Sequence, residues 1–172
     1  MQPKITYTVP AGWENLEDLV GNFLLQQPND PRYVGVYQNV RTPAECNEAW
    51  ADGVGKTVDD LVAWYTTHPG LVSTDPVPVT IGGLDGFALD LSLDPSWTVV
   101  CPFSEGQPVV PILIGGEVSL LHHVLLPGME ARLYVLDWNG GNVVIEIGPE
   151  GTDLQTYLDE VVPIIESMTF AS

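Results

Sequence analysis

Two alternating runs, Ala131 to Trp138 and Val143 to Ile147, flank Asn139-Gly140-Gly141, and this arrangement constrains the chain more than any other part of it. Asn and Gly tolerate the positive φ that tight hairpin turns require, and alternation along a strand sends successive side chains to opposite faces. The chain is therefore committed to an antiparallel sheet. Val118 to Leu126 reads as a further strand, joined to Ala131 through the Pro127-Gly128 turn. Val77 to Leu93 reads as a hairpin around Gly82-Gly83 and Gly86, with Phe87, Leu89 and Leu91 on one face of its second strand. Nearer the start, Ile5 to Pro10 alternates as a half-buried strand and turns at Pro10 to Gly12. Leu16 to Gln27 reads as a short turn and then a strand, and Tyr33 to Tyr37 as another.

Two helices accompany these strands. Thr57-Val58-Asp59-Asp60 supplies a capping hydroxyl and first-turn acids, and Leu61, Val62, Trp64 and Tyr65 form an apolar stripe, which predicts a helix over 58–67 ending before Pro69-Gly70. His68 falls at its C-terminus. The second helix opens at Gly151 to Gln155 with a capping-box pattern, and Leu154, Leu158, Val161, Val162 and Ile165 form its buried side. Pro163 should bend it or end it early, because proline removes a backbone bond. Met168 to Phe170 closes the chain as a short strand. The 172 residues suit one hydrophobic core, so the expectation is a single α+β domain over 1–172.

Charge restricts the partners. Asp and Glu number 23 against five Lys and Arg, a net charge of −18 spread along the chain. Nucleic acid and anionic membrane surfaces are bound by clustered cations, and Lys4, Arg32, Arg41, Lys56 and Arg132 are too scattered to form a patch. Self-repulsion at this charge should make the fold more stable as salt is added. Apolar content of 45% separates the chain from disordered acidic sequences. No apolar run approaches the ~20 residues of a membrane span, and Met1 to Thr8 lacks the basic start and apolar middle of a signal peptide. An export signal or anchor is expected to be either removed or absent.

Cys46 and Cys101 are the only cysteines. An isolated pair in an acidic, loop-rich chain reads as a disulfide, with two buried free thiols as the alternative; neither has the Cys-x-x-Cys partner of a zinc site. A bond would place the chain in an oxidising compartment.

Taken together, the opening Tyr7-Thr8-Val9-Pro10-Ala11-Gly12-Trp13, the capped central helix, the glycine-rich hairpin and the close Ile164 to Phe170 resemble the PsbP-like superfamily. This family takes its name from an extrinsic subunit of photosystem II and includes a Ran-binding import factor and exported actinobacterial lipoproteins. The resemblance implies an antiparallel sheet sandwiched between helices, an α/β/α arrangement, and docking or scaffolding in place of chemistry. It therefore brings no catalytic residues. The two cysteines look most like the exported bacterial branch.

Candidate chemistry is sparse. His122-His123 on a strand points its imidazoles to opposite faces, one packed inside and one solvated, which does not suit one shared ion. Asp137 to Asn142 lacks the alternating ligands and terminal Glu of a calcium loop, and a hairpin turn explains it. No Gly-x-Ser-x-Gly or Ser-x-x-Lys occurs, and Gly82 to Gly86 leads into a strand where a phosphate cradle needs a helix. The paired acids Asp59-Asp60 and Asp159-Glu160 suit a carboxylate hydrolase only if a cleft gathers them. Among the five tryptophans, Trp50 and Trp97 sit in connectors near the cysteines and are the candidate ligand contacts. The sequence thus predicts a non-enzymatic, extracytoplasmic binding domain of an envelope or secreted protein, needing no cofactor or metal, whose partner is an envelope protein or a glycan. A hydrolase with paired carboxylates and a structural ectodomain of a larger sensor are the alternatives. Oligomeric state is not encoded legibly.

Overall fold

The computed structural model describes residues 4–47, 49–116 and 122–171. An eight-stranded antiparallel sheet forms the centre. Its strands are β2 (Glu14–Leu19), β3 (Asn22–Gln26), β4 (Tyr33–Gln38), β5 (Leu71–Ser73), β6 (Val77–Ile81), β7 (Leu84–Leu93), β10 (Glu130–Trp138) and β11 (Gly141–Gly148). They lie in the order β2-β3-β4-β11-β10-β7-β5, and β6 also pairs with β7. Two smaller ladders stand apart. One joins β1 (Lys4–Thr6) to β12 (Thr169–Ala171), and the other joins β8 (Val110–Ile114) to β9 (His122–Leu125).

Helix α1 (Val58–Thr67) covers one face of the sheet and α2 (Leu154–Glu166) the other. The alternation of β10 shows how the sequence achieves this: Ala131, Leu133 and Val135 pack in the core with Leu61 and Tyr65 of α1, whereas Tyr134 and Leu136 pack with Leu158, Val161 and Ile165 of α2. The fold is thus α+β, an antiparallel sheet flanked by helices, as the sequence predicts. The β8–β9 pair lies on the α1 face, where Ile112, Leu113 and Leu125 join that core and Tyr65 Oη donates to the Ile112 carbonyl at 2.9 Å.

The α1 boundaries match the sequence reading. Thr57 Oγ1 accepts from the Asp60 amide, and the Asp60 carboxylate accepts from the Thr57 amide, a reciprocal cap. His68 caps the other end. Asn139 (φ 50°) and Gly140 (φ 75°) make the two-residue turn between Trp138 and Gly141, which pair directly.

Four expectations are corrected. The segment read as a turn before β3 is itself a strand, β2, joined to β3 at Gly21 with φ 75°. Strand β9 does follow into β10 through Pro127-Gly128, yet it pairs with β8, because β10 already has β11 and β7 on its two edges. The part of that expected strand before His122 lies outside the described residues. The N-cap of α2 is Asp153, whose carboxylate accepts from the Thr156 amide; Gln155 bonds Asp159 and does not close a box with Thr152. Finally, α2 runs through Pro163 to Glu166. Pro163 faces solvent and so does Asp159, whose carbonyl the missing N–H leaves open to water.

Candidate functional site

A groove of about 680 Å³ lies on the α1 face. It opens where α1 stops short of the sheet end. Thr57, Val58 and Asp59 at the start of the helix form one wall, and Asp137, Gly140 and Gly141 at the β10–β11 turn form another. Pro78 and Phe87, opposite each other on the β6–β7 ladder, supply apolar floor, and Thr80 and Asp85 continue the rim, with Thr80 Oγ1 donating to Asp85 Oδ1 at 2.6 Å. Asp59, Asp85 and Asp137 are exposed and make no ion pair among the described residues. The positive end of α1 is already answered by Asp60, whose carboxyl is held below its ordinary value by hydrogen bonds from the Thr57 side chain and backbone. The groove thus presents negative charge over an apolar base.

Asn142, read at the sequence level as part of a turn, anchors the groove's far wall. Its buried amide accepts from the Val40 N–H at 2.8 Å and donates to the Val40 and Lys56 carbonyls at 3.0 and 2.8 Å. The Lys56 carbonyl precedes the α1 cap. Strand β11 and the helix start are thereby fixed relative to each other.

Cys46 and Cys101 are disulfide-bonded across a sequence separation of 55. The bond joins the connector before α1 to the loop after β7, the two segments that carry Trp50 and Trp97. The two indoles differ in what they offer. Trp97 is half-buried: its Nε1–H donates to the Val109 carbonyl at 2.9 Å, and its ring lies 5.5 Å from that of His68. The notch it lines with Cys101, Trp64 and Pro43 has a volume of about 10 Å³, room for one water and no ligand. Trp50 is 48% exposed, with the Arg41 guanidinium 4.7 Å above its ring. His68 Nδ1 accepts from the Gly70 amide, and burial pushes the imidazole below its ordinary value.

A second polar cluster is buried on the α1 face. Glu146 of β11 is 1% exposed; its Oε1 accepts from Tyr33 Oη at 3.1 Å and its Oε2 lies 2.8 Å from His123 Nδ1. Gly35 and Gly148 make the space, since a Cβ at either would overlap the ring of Tyr37 or Tyr33. Of the two adjacent histidines, His123 is thus the packed one, and the His122 side chain lies outside the described residues. No group of three or more metal-ligating side chains occurs among the described residues. The acids Asp59 and Asp60 part company, one on the groove and one in the cap, and Asp159 and Glu160 serve Gln155, Gln27 and Arg32. No helix of the described residues is long and apolar enough to cross a membrane.

No family model matches the sequence, and no curated protein matches it either. Among solved structures, the chain is similar to LpqN, involved in cell envelope biogenesis of Mycobacterium tuberculosis, at 16% identity over 99% of this chain and 84% of that one, with a TM-score of 0.45. It is also similar to the cyanobacterial PsbP of Synechocystis, at 9% identity over 99% and 93% of the two chains, with a TM-score of 0.46.

Proposed function

We propose that this chain is a non-catalytic interaction domain acting outside the cytoplasm, and that its groove seats an extended, cationic segment of an envelope protein. The groove carries this reading. Three carboxylates that make no ion pair among the described residues stand on the rim of an apolar floor and suit Lys or Arg side chains whose aliphatic stems lie against Pro78 and Phe87. Lys56, next to Thr57 in sequence, leaves the rim net negative. A glycan is the poorer occupant, because the floor offers one half-buried phenyl ring where sugar sites use exposed aromatic faces. Trp50, held under Arg41, is a second contact point beside the disulfide.

The disulfide supports the compartment, since such bonds persist in oxidising surroundings. The test is equilibrium binding of the purified chain to Lys/Arg-rich peptides, neutral peptides and glycans. Binding of the basic peptides that weakens with salt and is lost in Asp85→Asn/Asp137→Asn is the expected result. Preference for glycans would refute the groove's occupant. Turnover of substrate across a hydrolase panel, abolished by the same two substitutions, would refute the non-catalytic reading.

A further inference from the structure

Strand β9 is attached to the main sheet by side chains. Its ladder is with β8 alone, at Val110↔Leu125, Pro111↔Val124, Leu113↔His123 and Ile114↔His122, and among the described residues its other edge joins no strand. Leu125 contributes apolar packing to the α1-side core. The polar tie is His123, whose Nδ1 meets Glu146 Oε2 at 2.8 Å and Tyr33 Oη at 3.3 Å, with its ring 4.8 Å from that of Tyr37.

That seat is specifically built. Glu146 occupies a central strand between Gly35 and Leu133, where an apolar side chain would otherwise complete the core. Burying a carboxylate there is costly without a partner, and the partner comes from outside the sheet. We propose that His123 and Glu146 form a proton-operated latch: the charged imidazole holds β9 on the sheet, and the neutral one lets β9 loosen locally while the sheet stays folded.

The groups around His123 fix the direction. Tyr33 and Tyr37 face it from β4, Glu146 from β11, Glu150 from the connector into α2, and Glu17 from β2; Tyr65 of α1 lies in the field of the same Glu146. All are acids or phenols. Burial opposes the imidazolium, but the charge and hydrogen bond of Glu146, with smaller help from Glu17 and Glu150, outweigh it and hold His123 above its ordinary value. Tyr33 and Tyr37 are raised first by burial and then by Glu146, so both stay neutral through the window in which the histidine titrates. A group with a raised folded value stabilises the closed state fully below its free value, about 6.5, and loses that contribution as pH rises through the folded one. Opening of β9 should therefore grow by up to about tenfold per pH unit in that window.

Amide hydrogen exchange on the whole chain, followed by NMR from pH 6 to 9 and corrected for intrinsic rates, tests this. The protected amides among His123, Val124 and Leu125 are compared with those of Val144 and Ile145 in β11, while the His123 ring is titrated in the same samples. The latch predicts that β9 protection falls as the ring loses its proton while β11 protection holds, and that His123→Gln removes the pH dependence. Constant β9 protection through the ring titration, a fall in step with β11, or a ring that titrates at or below 6.5 would each overturn it. Should the variant not fold, the comparison of β9 with β11 inside the wild-type molecule decides alone.

Discussion

Removing the Cys46–Cys101 bond is the perturbation whose size follows most directly from the chain's geometry. The bond closes a loop of 55 residues, and the loss of loop-closure entropy in the unfolded state is worth about 4 kcal/mol at 25 °C for that length. For 172 residues unfolding together the entropy scales to roughly 0.36 kcal/mol/K, so each kcal/mol moves the midpoint by about 3 °C. Cys46→Ala/Cys101→Ala should therefore melt about 11 °C below the parent chain. Cys101 is buried, which adds a small packing loss to the same sign. The assay is thermal unfolding by circular dichroism of the oxidised chain, the reduced chain and the double variant. Reduced and substituted chains should agree closely. A midpoint within 3 °C of the oxidised chain would mean that the bond closes no costly loop, and the reasoning fails. A mass spectrum after alkylation checks the premise: no thiol labels before reduction and two label after it.

Further expectations follow from single sites. Gly35→Ala drives a methyl into the Tyr37 ring and should cost about 1 to 3 kcal/mol in a urea melt, where a change under 0.5 would contradict the packing described. Thr57→Ala removes the hydroxyl of the reciprocal α1 cap and should cost about 1 kcal/mol by the same measurement, with no loss refuting the cap's role. Trp97→Phe deletes the bond to the Val109 carbonyl at a cost of about 1 kcal/mol, whereas Trp50→Phe at its exposed position should stay within 0.5; a reversed order would exchange their assignments. Raising NaCl from 10 mM to 500 mM should raise the melting midpoint, since screening relieves the repulsion of a net charge of −18, and a lowered midpoint would contradict this.

Which parts of the fold are legible in the sequence depends on how each element meets solvent. Helix α1 declares itself through Thr57 and Asp60, and the β10–β11 hairpin through Asn139-Gly140, because those signals are local. Strand β2 is concealed by its edge position: Leu16, Leu19 and Val20 are exposed alongside Glu14 and Asp18, so no alternation marks a buried face. Strand β8 is hidden for the opposite reason. Val110 to Ile114 is buried throughout, and Pro111 argues against a strand until its bulged register with β9 is seen. Pro163 misleads because its cost depends on the exposure of Asp159, a tertiary property.

The sites are less legible than the elements. Asp59, Asp85 and Asp137 belong to three distant segments; the β7–β10 register, with Leu136 opposite Gly86, sets Asp85 near Asp137, and the start of α1 adds Asp59 to the same groove. Glu146 looks like an ordinary outward residue in Val143 to Ile147 until β9 delivers His123 to it. A weak signal did exist in Gly35 and Gly148, small residues in otherwise bulky strands that mark where a neighbouring ring lies over the backbone. The disulfide is the exception, since two cysteines allow one pairing.

The groove's role is tested most directly by chemical-shift mapping of the labelled chain during titration with an extended Lys/Arg peptide at physiological salt. Saturable shifts concentrated at Thr57 to Asp59, Thr80, Asp85, Phe87 and Asp137, and lost in Asp85→Asn/Asp137→Asn, are the predicted result. Shifts scattered over acids on every face, or none at all, would contradict it.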